Sequence, residues 1–472
     1  MIERLDYRGK LTDRNALGRL LADAGLGAGA AGPKADLFAK AAERVLAEGN
    51  GVREAEITAF FLPGRIEVLG KHTDYPGGAS MLVAAQRGFC LVVAPRSDCL
   101  VRVSDVARDE MVQFDLDPEL EPRAGHWSNY PMTVARRVAR NFPEARRGVE
   151  IAFGSDLPPA AGMSSSSAMI VAMFLALAEV NGLWDRGEFS QNVTNLTDLA
   201  AYLAVVENGQ TFGTLAGDLG VGTAGGSEDH TAILCCRPNR LDEYSYCPIR
   251  FQRSVPLPQG YTFAVGASGV VAEKTGEAME KYNRASRLAR VAAELWRRET
   301  GGDEAHLGAV LASSPEAADR LARIIETAEM PDQGVDRRSV KERFEHFLTE
   351  NQELRPAAGD ALARGDMDEF GRYTEESQAW AEQMLGNQIP ETSYLAAIAR
   401  KIGAAASLAF GAGFGGSVWA LVQTSGIDEF LEGWAWSYRK RFPQHAQASQ
   451  FFATGAGPAT FQIGGIDVRQ TG

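Results

Sequence analysis

The chain has 472 residues, 45% of them hydrophobic and 23% charged, with a formal net charge of −13 and no long Lys/Arg run. This length and apolar content support a large core and two or three domains, while the acidic balance argues against nucleic acid or an anionic membrane as a main partner. Five cysteines, Cys90, Cys99, Cys235, Cys236 and Cys247, show no metal-ligand spacing, and their odd number fits free thiols in a reducing cytoplasm better than a disulfide framework.

The charged N-terminus, MIERLDYRGK, lacks the apolar core of a signal peptide. The longest apolar run, Ala168 to Ala178, is shorter than the roughly 18 residues a membrane span needs, so the expectation is a soluble chain that is not exported. Residues 1–55 read as a helical extension, a lid or packing layer. In it LGRLLADAGL and ADLFAKAAERVLAE carry apolar residues at helical spacing around a flexible link, GLGAGAAGPK. From Thr58 the pattern predicts strands: ITAFFLPGRIEVL, SMLVAAQRGFCLVVAPR and LVRVSDV are rich in β-branched and aromatic residues. HWSNYPMTVARRVARNF predicts a helix, GVEIAFGSDL a strand, and MIVAMFLALAEVNGL an apolar helix after a Gly/Ser loop. TAILCC and YTFAVGAS read as strands, whereas Glu273 to Thr300 and most of Ser314 to Lys401 read as helical. The domains expected are 1–55, 56–255 and 256–472.

Four segments gather chemistry. In PGRIEVLGKHTDYPGG, apolar residues anchor a strand, and the glycines and proline after it force a turn that carries Arg65, Lys71, His72 and Asp74 to a surface. A salt-bridged loop would show the same composition. In LPPAAGMSSSSAM, between a strand and the apolar helix, small residues let backbone N–H groups approach a polyanion at a helix N-terminus, although a Ser-rich cap reads alike. FGAGFGGSV is a Gly-rich turn before a strand, and GGSEDHT sets an acidic pair and a histidine beside glycines.

Taken in order, these segments resemble the motifs of the GHMP kinases, and the first resembles the galactokinase signature, with Glu67 where that family usually has Asn and Lys71 where it has Glu. The likeness runs from roughly Ala59 to Thr460, and SQFFATGAGPAT resembles the family's closing strand and turn. It implies an α+β fold of two lobes, the first a mixed sheet plus helices and the second an antiparallel sheet plus helices. It also implies an ATP-dependent sugar kinase acting at the anomeric hydroxyl of a hexose. By the resemblance Asp229 is the catalytic carboxylate and Arg65 its counter-charge. Arg65, Lys71, His72, Asp74, Gly226, Asp229 and Tyr282 bind sugar, with Tyr282 falling in a segment that leads from Ala267 to Lys274 into EKYNR. Gly162, Met163, Ser164, Ser165, Ser166 and Ser167 wrap the ATP phosphates. Mg2+ falls to Ser166, with Ser165 as alternate, and to Glu207, and Gly411, Gly413, Gly415 and Gly416 form a supporting loop.

Lys71 leaves the substrate open. A Lys offers donors where a Glu offers acceptors, so the chain is read as a galactose kinase, a uronic-acid kinase, or a non-catalytic sugar sensor. A mevalonate-like or homoserine-like substrate is disfavoured by the His-x-Asp-Tyr run.

Overall fold

The computed structural model describes residues 2–49, 51–159, 161–270, 276–331 and 334–464. In chain order the strands are β1 (Glu3–Leu5), β2 (Thr58–Leu69), β3 (Ala79–Pro95), β4 (Leu100–Asp105), β5 (Glu110–Asp115), β6 (Val149–Ser155), β7 (Arg240–Ser245), β8 (Arg250–Pro256), β9 (Tyr261–Ala267), β10 (Ala406–Phe410), β11 (Ser417–Gln423), β12 (Gln450–Thr454) and β13 (Phe461–Ile463). A mixed nine-stranded sheet runs β1-β13-β2-β3-β6-β4-β5, with β7 pairing the start of β3 and β8 pairing β7. A separate antiparallel sheet runs β10-β11-β9-β12. This is the α+β architecture expected.

The central strands are apolar on both faces because both are covered. Phe89, Leu91 and Val93 of β3 face a large core that includes the buried helix Ser165–Asn181, whereas Cys90, Val92 and Ala94 face helix Gly27–Glu48. The antiparallel sheet is covered likewise. Ala264, Val418 and Ala420 meet helices Pro390–Lys401 and Ile427–Arg441, and Phe263, Trp419 and Leu421 join the main core. Trp419 also donates its indole N–H to the Glu67 carbonyl at 3.1 Å, so the second sheet touches the strand that ends in the charged turn.

Three expectations change. The Gly/Ala link is helical from Gly27 onward through Pro33, because Ala31, Lys34 and Ala35 are buried against the sheet and tertiary packing overrides weak propensity. The N-terminal segment is thus a packing layer, and it adds edge strand β1 beside β13. TAILCC is the end of helix Glu228–Cys235 and not a strand. Glu228 and Asp229 occupy its first turn, where the helix dipole favours carboxylates, and a short apolar run fits either period. Strands β5, β7, β8, β10 and β13 are additional to those the pattern suggested. The helix expected from Glu273 is described over Gly276–Thr300, and 271–275, including Ala272, Glu273 and Lys274, lie outside the described residues.

Candidate active site

Arg65, on β2, is buried at the centre of a carboxylate cluster. Its Nε donates to Asp229 Oδ1 at 2.8 Å and lies 3.2 Å from Glu228 Oε1, while Nη2 is 3.8 Å from Glu67 Oε2. Nη1 reaches the Gly162 carbonyl at 3.2 Å, which ties the charged turn to the serine loop. Burial works against the charge on Arg65, but Asp229, Glu228 and Glu67 outweigh it and the guanidinium stays protonated. Burial pushes Glu228 well above the usual carboxylate range, with Glu67 adding to it.

A polar cavity opens beside this cluster, walled by Arg65, Glu67, His72, Asp74, Gly226, Glu228, Asp229 and Tyr282 among others. His72 sits at φ 57° in the turn. Its Nε2 lies 3.2 Å from the Ala412 carbonyl, which can only accept, so the hydrogen is assigned to Nε2 and Nδ1 accepts from Tyr75 Oη at 2.9 Å. Burial, then Arg343 and Lys71, push His72 down to about 3, so the ring is neutral. Asp74 accepts from the Glu228 backbone N–H at 3.2 Å, and burial pushes its carboxyl up to about 6. A Cβ on Gly226 would fall 2.2 Å from Asp74 Oδ2, which explains the glycine there.

Lys71 differs from its expected neighbours. It is fully buried, donates Nζ to the Ala409 carbonyl, lies 3.7 Å from Glu67 Oε1, and is absent from the cavity wall among the described residues. The sequence reading set it among the sugar contacts; Gly70 and the turn aim its side chain into the interface with the second sheet, behind the cavity wall.

A second cavity, of about 600 Å³, lies across Arg65 and Asp229. Gly162, Ser164, Ser165 and Ser166 form one end of it, and Phe89, Trp127, Tyr130 and Phe153 line it with aromatic surface. Helix Ser165–Asn181 starts at this loop and presents its N-terminal dipole to it. Met163 is buried, and its carbonyl accepts from the Arg65 N–H at 3.2 Å.

Ser167 lies between the two sides. Its hydroxyl donates to Glu207 Oε2 at 2.9 Å and lies 3.3 Å from Asp229 Oδ2. Buried hard oxygen donors from separate elements fit a magnesium ion completed by phosphates. The serine that meets Glu207 in this way is Ser167, whereas Ser166 lines the larger cavity. His230 Nε2 is 3.3 Å from Glu207 Oε2.

The Gly-rich turn closes the site from the second sheet. A Cβ on Gly411 would lie 2.9 Å from the Gly162 carbonyl, and Ser417 Oγ donates to the Ala161 carbonyl at 2.6 Å, so two backbones meet where side chains have no room. Gly413 packs on Asn387, and Gly416 donates its N–H to Val270. Gly415 sits between them at φ 142°.

Three supporting residues were not visible in the sequence. Glu350 Oε1 accepts from the Gly70 N–H at 2.7 Å, Arg343 Nη2 donates to the His72 carbonyl at 2.5 Å, and Asn351 accepts from the Ala79 N–H at 2.8 Å. They come from the far end of a helical segment about 270 residues downstream, and local periodicity carries no signal for such a contact.

The comparisons with known proteins agree with this geometry. GHMP kinases N terminal domain matches residues 129–234, GHMP kinases C terminal matches 360–440, and the galactokinase galactose-binding signature matches 51–95. The galactokinase of Glaesserella parasuis serovar 5 (strain SH0165) is 28% identical over 392 residues, covering 81% of this chain and 89% of that protein. The galactokinase of Roseiflexus sp. (strain RS-1) is 28% identical over 379 residues, covering 80% and 86%. Lactococcus lactis galactokinase, solved in complex with galactose, shares 25% identity at a TM-score of 0.69 over 88% of this chain and 97% of that one. Methanococcus jannaschii mevalonate kinase, at 13% identity and a TM-score of 0.50, shares the fold alone. With both kinase regions and the sugar signature in one frame, the chain carries the N- and C-terminal GHMP kinase domains and the galactokinase galactose-binding signature, and its curated relatives are galactokinases.

Proposed function

We infer that the protein transfers the γ-phosphoryl group of ATP to the anomeric hydroxyl of a hexose, galactose being the substrate the relatives favour. The observation that carries this reading is that Arg65 and Asp229 line both cavities, so a group in one can react with a group in the other there. Sugar fills the polar cavity, with Asp74, His72, Tyr282 and the Gly226 backbone as its contacts. ATP fills the larger one, with its base against Trp127, Tyr130 and Phe153 and its phosphates on the 162–167 loop.

Asp229 accepts the proton of the attacking hydroxyl, and Arg65 donates to that carboxylate and offsets charge on the transferring group. Because phosphoryl transfer is generally loose, holding the two reactants in line matters as much as proton removal. Bound magnesium would neutralise phosphate charge, and Glu207 with Ser166 or Ser167 are the residues that would hold it. No helix among the described residues is long and apolar enough to cross a membrane, and the free cysteines support a reducing, cytoplasmic setting. The domain limits 1–55, 56–255 and 256–472 remain the division we propose, with β1 and β13 pairing into the sheet of the middle domain.

The test is an ADP-release assay with galactose, arabinose, galacturonate and glucuronate. Turnover of galactose is expected. Turnover of the uronates alone would overturn the choice of sugar, and sugar and ATP binding without ADP release would make the protein a sensor.

A further inference from the structure

Glu67 carries an acceptor that the fold leaves unused. It lies near the end of β2, 2% exposed, with its carbonyl held by Trp419 and its backbone paired to Leu82 of β3, so its side chain stands on a rigid strand. It lines the polar cavity. Its Oε1 is buried and accepts no hydrogen bond among the described residues. Two cations flank it beyond hydrogen-bond distance, Lys71 Nζ at 3.7 Å from Oε1 and Arg65 Nη2 at 3.8 Å from Oε2. A buried carboxylate oxygen without a donor is costly, and the cavity that Glu67 lines has room for one.

We propose that Glu67 is a specificity-determining sugar contact that accepts a hydrogen bond from one hydroxyl of a neutral hexose, and that Lys71 is its positioning residue. Lys71 does not reach the sugar itself, since it is fully buried, gives one N–H to the Ala409 carbonyl and does not line the cavity. Lys71 Nζ stands 3.7 Å from Oε1 and holds the carboxylate from behind the wall. The wall then sets the acceptor oxygens of Glu67, Asp74 and Asp229 against one lining Arg or Lys among the described residues, Arg65. That surface accepts from hydroxyl donors and repels a carboxylate, so the cavity selects a polyol and rejects uronic acids. This deepens the sugar-kinase reading and rests on it.

The test is steady-state kinetics of wild type, Glu67→Gln, Lys71→Met and the double variant on galactose, its 2-, 3-, 4- and 6-deoxy analogues, and galacturonate. Replacing the charged acceptor in Glu67→Gln should raise KM for galactose about tenfold or more, with kcat moved by less. For the one analogue that lacks the hydroxyl read by Glu67, wild type and variant should coincide. Lys71→Met should show the same analogue signature, and the double variant should add little to Glu67→Gln. Galacturonate should not be turned over by the wild type. Thermal melts check folding, and if Glu67→Gln does not fold, Glu67→Asn must give the same signature. An equal penalty on every analogue, or none, overturns the role of Glu67 while leaving galactose as substrate. Wild-type turnover of galacturonate with no turnover of galactose overturns both this inference and the reading beneath it.

Discussion

Arg65 and Asp229 separate a cavity walled by carboxylates from one walled by aromatic rings. On the sugar side Glu67 and Glu228 are buried, Asp74 is nearly so, and their positions are held by backbone N–H groups, a guanidinium and a buried lysine. On the nucleotide side the walls are Phe89, Trp127, Tyr130 and Phe153, and the polar end is a loop of small residues at a helix N-terminus. The sugar side reads a ligand by fixed acceptors, which are costly to bury and sensitive to one proton. The side proposed for the nucleotide combines apolar rings with the backbone amides of the 162–167 loop, which do not depend on a side chain's charge. Substitutions should therefore separate the two sides cleanly, except at the pair they share.

The largest effect should come at that shared pair. Asp229→Ala should lower kcat roughly a thousandfold. Sugar binding should weaken but stay measurable by calorimetry, and unchanged turnover would remove Asp229 from the reaction. Arg65→Ala should lower kcat/KM about a hundredfold and reduce stability by about 3 to 5 kcal/mol, because three carboxylates lose their buried counter-charge. Chemical denaturation and ADP release together measure it. Trp127→Ala should raise KM for ATP about tenfold and leave KM for the sugar unchanged. A change in sugar KM instead would break the division between the two sides.

The smallest effect concerns the cost of the sugar side. Burial pushes Asp74 up to about 6 from the ordinary 3.8, so the folded state holds its proton more tightly than the unfolded chain. The stability this provides is full below about pH 4, the unfolded value, and is lost as pH rises through the folded value near 6. Asp74→Asn should therefore gain about 1 to 3 kcal/mol at pH 8, little at pH 3, and bind sugar more weakly. Melting curves at the two pH values check the sign.

The motifs were legible because their chemistry needs particular residues close together in the chain. Arg65 on β2 lies within ten residues of His72 and Asp74 in the turn that follows, and the serine loop is contiguous with the helix it caps. The aromatic wall was not legible: Phe89, Trp127 and Phe153 come from β3, the approach to a helix, and β6, with no common spacing. Nor was the clamp behind the sugar turn, where Arg343 and Glu350 arrive from a distant helical segment. TAILCC misled because six apolar or small residues fit a strand as well as a helical turn, and the acidic first turn on Ser227 decided between them.

By itself the sequence determined the reaction class, through the resemblance of Arg65, the 162–167 Gly/Ser loop and Asp229, in that order, to the GHMP kinase motifs. It also determined the mixed architecture, through strand and helix periods along the chain. Only the tertiary structure decided what Lys71 does. A side chain's direction out of a turn depends on what packs behind it, and here the Ala409 carbonyl and Glu67 draw the lysine into the core and leave Glu67 on the wall.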